Sequence, residues 1–105
     1  MTKPVTVLAP IVLAKGKTET DLMTASERFQ KEFVSQQTGI IRRELVKRDN
    51  DEYLDIIQFR SKAHAEEVMK LERESQACID FFSVMDFTKE VNIEMMLSLA
   101  TYQSK

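Results

Sequence analysis

Between positions 43 and 64 stand four side chains from which a reaction could be assembled: Arg43, Tyr53, Asp55 and His64. His64 is the only histidine, the one side chain type that titrates near neutrality without help from its surroundings. It could accept a proton from a substrate; a solvent-facing helix residue fits the same position. Arg43 keeps its charge at any working pH, so inside a sheet it needs an anion or water. Its fork could hold a developing phenolate or enolate oxygen, with Asp55 positioning it. Equally, the two could form a structural or intersubunit ion pair. The Tyr53 hydroxyl could bind a substrate oxygen or simply cap a hairpin. Phe29, Phe33 and Phe59 could wall a pocket for a small apolar or aromatic ligand, although their spacing also suits a core, as it does for Phe81 and Phe82. Met69, Met85, Met95 and Met96 would serve as adaptable pocket wall or as core filling.

Several chemistries are excluded. Cys78 is the only cysteine, so no internal disulfide can form; with one histidine it makes no usual metal-ligand pattern, and it reads as an inert packing residue. No nucleophile–base pair and no phosphate-binding loop appears, so the expectation is a protein without cofactor or metal. Fifteen basic and 17 acidic residues give a formal charge of −2, and the basic run "RRELVKR" is cancelled at once by "DNDE". That balance argues against nucleic acid. No apolar run approaches the roughly 20 residues of a membrane span, and "MTKPVTV" lacks a secretory pattern. A cytoplasmic protein with no membrane contact is expected. The 105 residues suffice for one domain, 1–105, with its core over about 5–98 and a polar tail over 99–105.

The positioning elements follow from periodicity. "VTVLAPIVLA", Val5 to Ala14, reads as a strand apolar on both faces, with Pro10 requiring a bulge or a local loss of ladder bonds. Thr18 and Asp21 mark a helix start, and Leu22, Ala25 (or Ser26), Phe29 and Phe33 give its apolar stripe. Gly39 is placed to end that helix in the left-handed conformation. "IIRRELVKR" and "EYLDIIQF" form a hairpin across "DND"; Ile41, Arg43, Leu45 and Lys47 share one face, as do Tyr53, Asp55, Ile57 and Phe59. A second helix runs from Ser61, its N-cap, to Phe82, and a fourth strand lies within "EVNIEMMLSLA". The order βαββαβ predicts an α+β, ferredoxin-like fold: an antiparallel four-stranded sheet with two helices on one face. A second copy is the simplest cover for the other face, which predicts a homodimer.

With these residues in place, the segment "TGIIRRELVKRDNDEYLDIIQFRSKAHAEEV" resembles the antibiotic biosynthesis monooxygenase (ABM) family of dimeric α/β barrels. The likeness rests on Gly39, the acidic turn at Asp51, Tyr53 opening a strand, Phe59 closing it and the helix start "SKAHA". Phe59 stands where the family commonly has Trp, and this chain has none. The resemblance implies a cofactor-independent monooxygenase that uses dioxygen on an electron-rich aromatic or enolisable small molecule. The alternative, from a different class, is a ligand-binding or interaction barrel without catalysis.

Overall fold

β-Branched and aromatic residues between turn signals yield three strands, β1 (Val5–Ile11), β2 (Ile40–Lys47) and β3 (Tyr53–Phe59), and a short fourth, β4 (Glu94–Leu97), carries methionine and leucine instead. The computed structural model describes residues 3–50 and 52–104. Asp51, where an acidic hairpin turn is expected, lies outside the described residues. The strands form one antiparallel sheet in the order β2-β3-β1-β4, so β1 is central. Its inner residues Val5, Val7 and Ile11 are buried beneath the helices.

Pro10 fits this central strand without a bulge, because its register with β3 runs unbroken through Pro10↔Leu54. On the other side, Pro4 O accepts from Ser98 N and Val12 O accepts from Asp86 N, both at 2.8 Å. Peptide groups of even-numbered β1 residues therefore point toward the β4 side. Pairing with β4 ends at Leu8↔Glu94 and resumes only at the isolated bridge Leu13↔Met85. Pro10 faces the gap between them, where its missing N–H removes no ladder bond. The bulge occurs instead in β2, between Ile40 and Arg42. Ile40 thereby packs inward and Ile41 is exposed, while Arg43 and Leu45 keep the inward face.

Helix α1 (Glu19–Glu32) begins with a capping box: Thr18 Oγ1 accepts from Asp21 N, and the Asp21 carboxylate accepts from Thr18 N at 2.8 Å. It passes into a 3-10 turn, Val34–Gln36. Gly39 is not left-handed; the positive φ belongs to Gly16, at 83°. What Gly39 provides is close approach, since a Cβ there would lie 3.0 Å from His64 Cβ. The expected second helix is two, α2 (Lys62–Glu72), capped by Ser61, and α3 (Gln76–Phe82). Ser75, extended at φ −100° and ψ 127°, resets the helical phase so that Ala77, Cys78 and Phe81 are buried while Leu71 stays exposed. Leu22, Phe29, Phe33, Val68 and Phe81 complete the core over the sheet. No helix among the described residues is long and apolar enough to cross a membrane.

The outer sheet face receives part of its cover from the chain itself. Beyond β4, Ser98 Oγ lies 2.8 Å from Thr6 Oγ1, and the Gln58 amide donates to Ser98 Oγ and Thr101 Oγ1, both at 3.3 Å. Strand β4 is shorter than expected, and all four of its residues are exposed.

Candidate functional site

Arg43 and Asp55 are diagonal neighbours on the inner face, Arg43 opposite Ile57 and Asp55 opposite Leu45. Arg43 Nε donates to both Asp55 carboxylate oxygens at 3.0 Å, and the two side chains are 5% and 4% exposed. The remainder of the fork is occupied by α1. One terminal nitrogen donates to Ser26 Oγ at 2.7 Å, the other to Ser26 O at 3.4 Å and to Gln30 Oε1 at 3.5 Å. The guanidinium carbon lies 4.8 Å from the Phe29 ring centroid and 5.1 Å from that of Phe81. Arg43 thus ties β2, β3 and α1 together inside the protein.

Beside this cluster, between sheet and helices, opens a cavity of about 370 Å³. Val7, Ala9 and Ile11 of β1 and Ile57 and Phe59 of β3 form its floor. Phe29 of α1, Met69 of α2 and Phe81 and Phe82 of α3 form the walls, with Met85 beyond them; Phe87, Val91 and Ile93 stand at its side. Among the described lining residues, only Asp55 and Glu72 bring polar side chains. Burial pushes the Glu72 carboxyl up to about 7; the Asp55 charge adds to this and Arg43 opposes it. Asp55 is also raised, burial outweighing its contact with Arg43. Burial pushes the Cys78 thiol up to about 11, which suits a packing residue.

The structure brings Asp55, Phe59 and Phe29 to this cavity and sets Arg43 behind Asp55. Phe33 lies in the core instead, stacked on Phe29 at 5.6 Å between centroids. Tyr53 and His64 are elsewhere, near opposite ends of β3. The Tyr53 hydroxyl donates to Glu19 Oε1 at 3.0 Å, and Lys47 Nζ lies 2.9 Å from the same oxygen. His64 is exposed at the first turn of α2, its Nδ1 2.7 Å from Ser61 Oγ. Convergence of His64, Tyr53 and Arg43 on one cavity is therefore not observed, because the strand separates them. Sequence reasoning missed Glu72, although it falls four residues after Val68 and seven after Ala65, both buried on α2. Ser26 was legible only as an alternative to Ala25. No group of three or more His, Cys, Asp or Glu side chains that could hold a metal ion occurs among the described residues.

No protein-family model matches this chain, and no curated protein matches it. Solved structures do. A protein of Caulobacter crescentus CB15 named "putative antibiotic biosynthesis monooxygenase" is 11% identical, with 94% of this chain and 92% of that one covered at a TM-score of 0.75. SnoaB, a cofactor-independent oxygenase from Streptomyces nogalater, is 12% identical, with 97% of each chain covered at 0.68. A dimeric ferredoxin-like protein from an uncultured marine organism is 11% identical, with 100% of this chain and 95% of that one covered at 0.65. The chain has the ferredoxin-like fold of the antibiotic biosynthesis monooxygenases.

Proposed function

We propose that this chain is a cofactor-independent monooxygenase, cytoplasmic and homodimeric, acting on a small electron-rich aromatic or enolisable substrate. The observation that carries the reading is the cavity, which is apolar throughout except for two carboxyl groups on one side. Such a pocket can hold a flat ring against Phe29, Phe59 and Met69 and keep water from a reactive intermediate. In this chemistry a base removes a proton from a CH₂ beside an aromatic or carbonyl system. The carbanion gives an electron to dioxygen, and the radical pair combines to a hydroperoxide. Loss of water leaves a carbonyl, so that CH₂ plus O₂ gives C=O plus H₂O. The likeness to SnoaB supports the reaction type, and the dimeric neighbour supports the assembly. Asp55, fixed by Arg43 through both carboxylate oxygens, supplies a polar edge against which the substrate is oriented.

Oxygen uptake with a panel of anthrone-like and hydroquinone-like compounds tests this. One O₂ is expected per anthrone oxidised, with saturation in substrate. Ala9→Leu, which fills the cavity, should abolish uptake while leaving the melting temperature within a few degrees. A panel without any uptake overturns the reading. One observation favours a ligand-binding barrel instead: Arg43 is bonded to Asp55, Ser26 and Gln30 and is not among the residues lining the cavity, so it is not placed to hold an oxyanion there. On that reading the same compounds bind but are not consumed.

A further inference from the structure

Glu72 lies at the C-terminal end of α2 with its side chain lining the cavity. Unlike that of Asp55, its carboxyl makes no hydrogen bond or ion pair with any described residue; its backbone carbonyl accepts from Ser75 N at 3.4 Å. The charges that act on it come from the two strands below, Asp55 on β3 and Arg43 on β2. Cys78 on α3, also within its field, is held neutral by burial. Arg43 cannot swing to it without abandoning Asp55 and Ser26 and leaving their buried groups unpaired. The cavity therefore contains one carboxyl committed to an arginine and one without a partner, with no cation among its described lining residues.

We propose that Glu72 is the catalytic base of this cavity, and that the substrate enters as an uncharged carbon or hydroxyl acid and not as an anion. The inference rests on the cavity being the substrate site, as proposed above. One Glu72 oxygen takes the proton from the substrate's acidic C–H or O–H. The bonding electrons remain on the substrate as an enolate or carbanion, and the proton later leaves to water or returns to the same atom. No electron acceptor is needed for this half of the reaction. A carboxylate that ionises near pH 7 is basic enough for such a proton and is still largely deprotonated slightly above neutrality. An anionic ligand would meet Glu72 and Asp55 with no cation among the described lining residues, which disfavours carboxylate-bearing compounds.

Because the step needs no oxygen, it is tested without oxygen. Anthrone is incubated anaerobically in D₂O with the protein, and exchange of its methylene hydrogens is followed by NMR. Catalysed exchange is expected to rise with pH through about 7 and then level, as Glu72 loses its proton. Glu72→Gln should slow it by about 10²-fold or more and remove that inflection; Glu72→Asp should retain the inflection at a lower rate. Thermal melts confirm that each variant is folded. In parallel, calorimetry near pH 8 should show 2-naphthylmethanol binding and 2-naphthoate binding at least about tenfold more weakly. Exchange unaffected by Glu72→Gln, or equal binding of alcohol and carboxylate, overturns the proposal. Catalysed exchange without aerobic oxygen uptake upholds Glu72 and refutes the oxygenase. Oxygen uptake that survives Glu72→Gln does the reverse.

Discussion

Arg43 shows how one side chain can be legible in kind and illegible in role. Its partner, Asp55, follows from the strand faces, since both sit on inward positions of adjoining strands. Its bonds to Ser26 and Gln30 and its place beside the stacked Phe29 and Phe81 rings depend on where α1 crosses the sheet, which no local pattern encodes. Removing it strands a buried carboxylate. Arg43→Met is expected to cost about 3–5 kcal/mol in urea denaturation, and the double change Arg43→Met with Asp55→Leu should recover most of that. Recovery failing in the double variant would mean that the arginine acts mainly through its ring contacts. Glu72 gives a second test at this scale. Its carboxyl is raised from 4.5 to about 7 on folding, so the protonated form favours the folded state. That contribution is complete below about 4.5 and is lost as pH climbs through about 7. Glu72→Gln should therefore leave stability at pH 4 almost unchanged and raise it at pH 8 by on the order of 1–2 kcal/mol, after allowance for solvent screening. The unmutated protein is expected to lose stability between about pH 4.5 and 7, so the loss is nearly complete where base catalysis approaches its plateau.

Among the elements, those specified by local chemistry were readable and those specified by packing were not. Thr18, Asp21 and Ser61 announce helix starts because a hydroxyl or carboxylate must meet free N–H groups there. The break between α2 and α3 carries no Gly or Pro signal. It arises because a continuous helix would have turned Ser75, not Ala77 and Phe81, toward the sheet. Gly39 likewise looked like a helix terminator from its position in the chain. Its actual constraint is the neighbouring α2, whose His64 is fixed by Ser61. Gly39→Ala places a methyl 3.0 Å from both Cβ and Cδ2 of His64. The expected cost is about 1–3 kcal/mol by overpacking, read from a chemical denaturation midpoint. A neutral result would show that the start of α2 can move aside, and with it the register between β2 and the helix layer.

For the molecule as a whole, the question is what covers β4 and the segment beyond it. Strand β4 is a sheet edge with its four residues exposed, and Glu94 is its only charge, so it has little of the protection that edges usually carry. Leu97 is 57% exposed, Leu99 77% and Tyr102 90%, and Ile93, Met95 and Met96 extend the same apolar stretch. The contacts of Ser98 and Thr101 with Gln58 fix that stretch to the outer face without burying it. A second copy related by a twofold axis would place two such stretches together, each covering the other's edge. A standard interface hides about 800 Å² per partner, and at about 25 cal/mol/Å² even half of that as apolar area offsets a large part of the cost of association. Sedimentation at micromolar concentration is therefore expected to give about twice 12.2 kDa. Leu97→Glu together with Leu99→Glu should shift the protein to monomer, because four buried carboxylates would face one another across the axis. The Arg43–Asp55 cluster lies inside the protomer, so Arg43→Met should lower stability without this shift in mass. A unit of 12.2 kDa across the concentration range, with the apolar stretch wet, would refute the dimer. It would leave the cavity open along Phe87 and Ile93, where an oxygenase needs water excluded, and would favour the binding barrel over the enzyme.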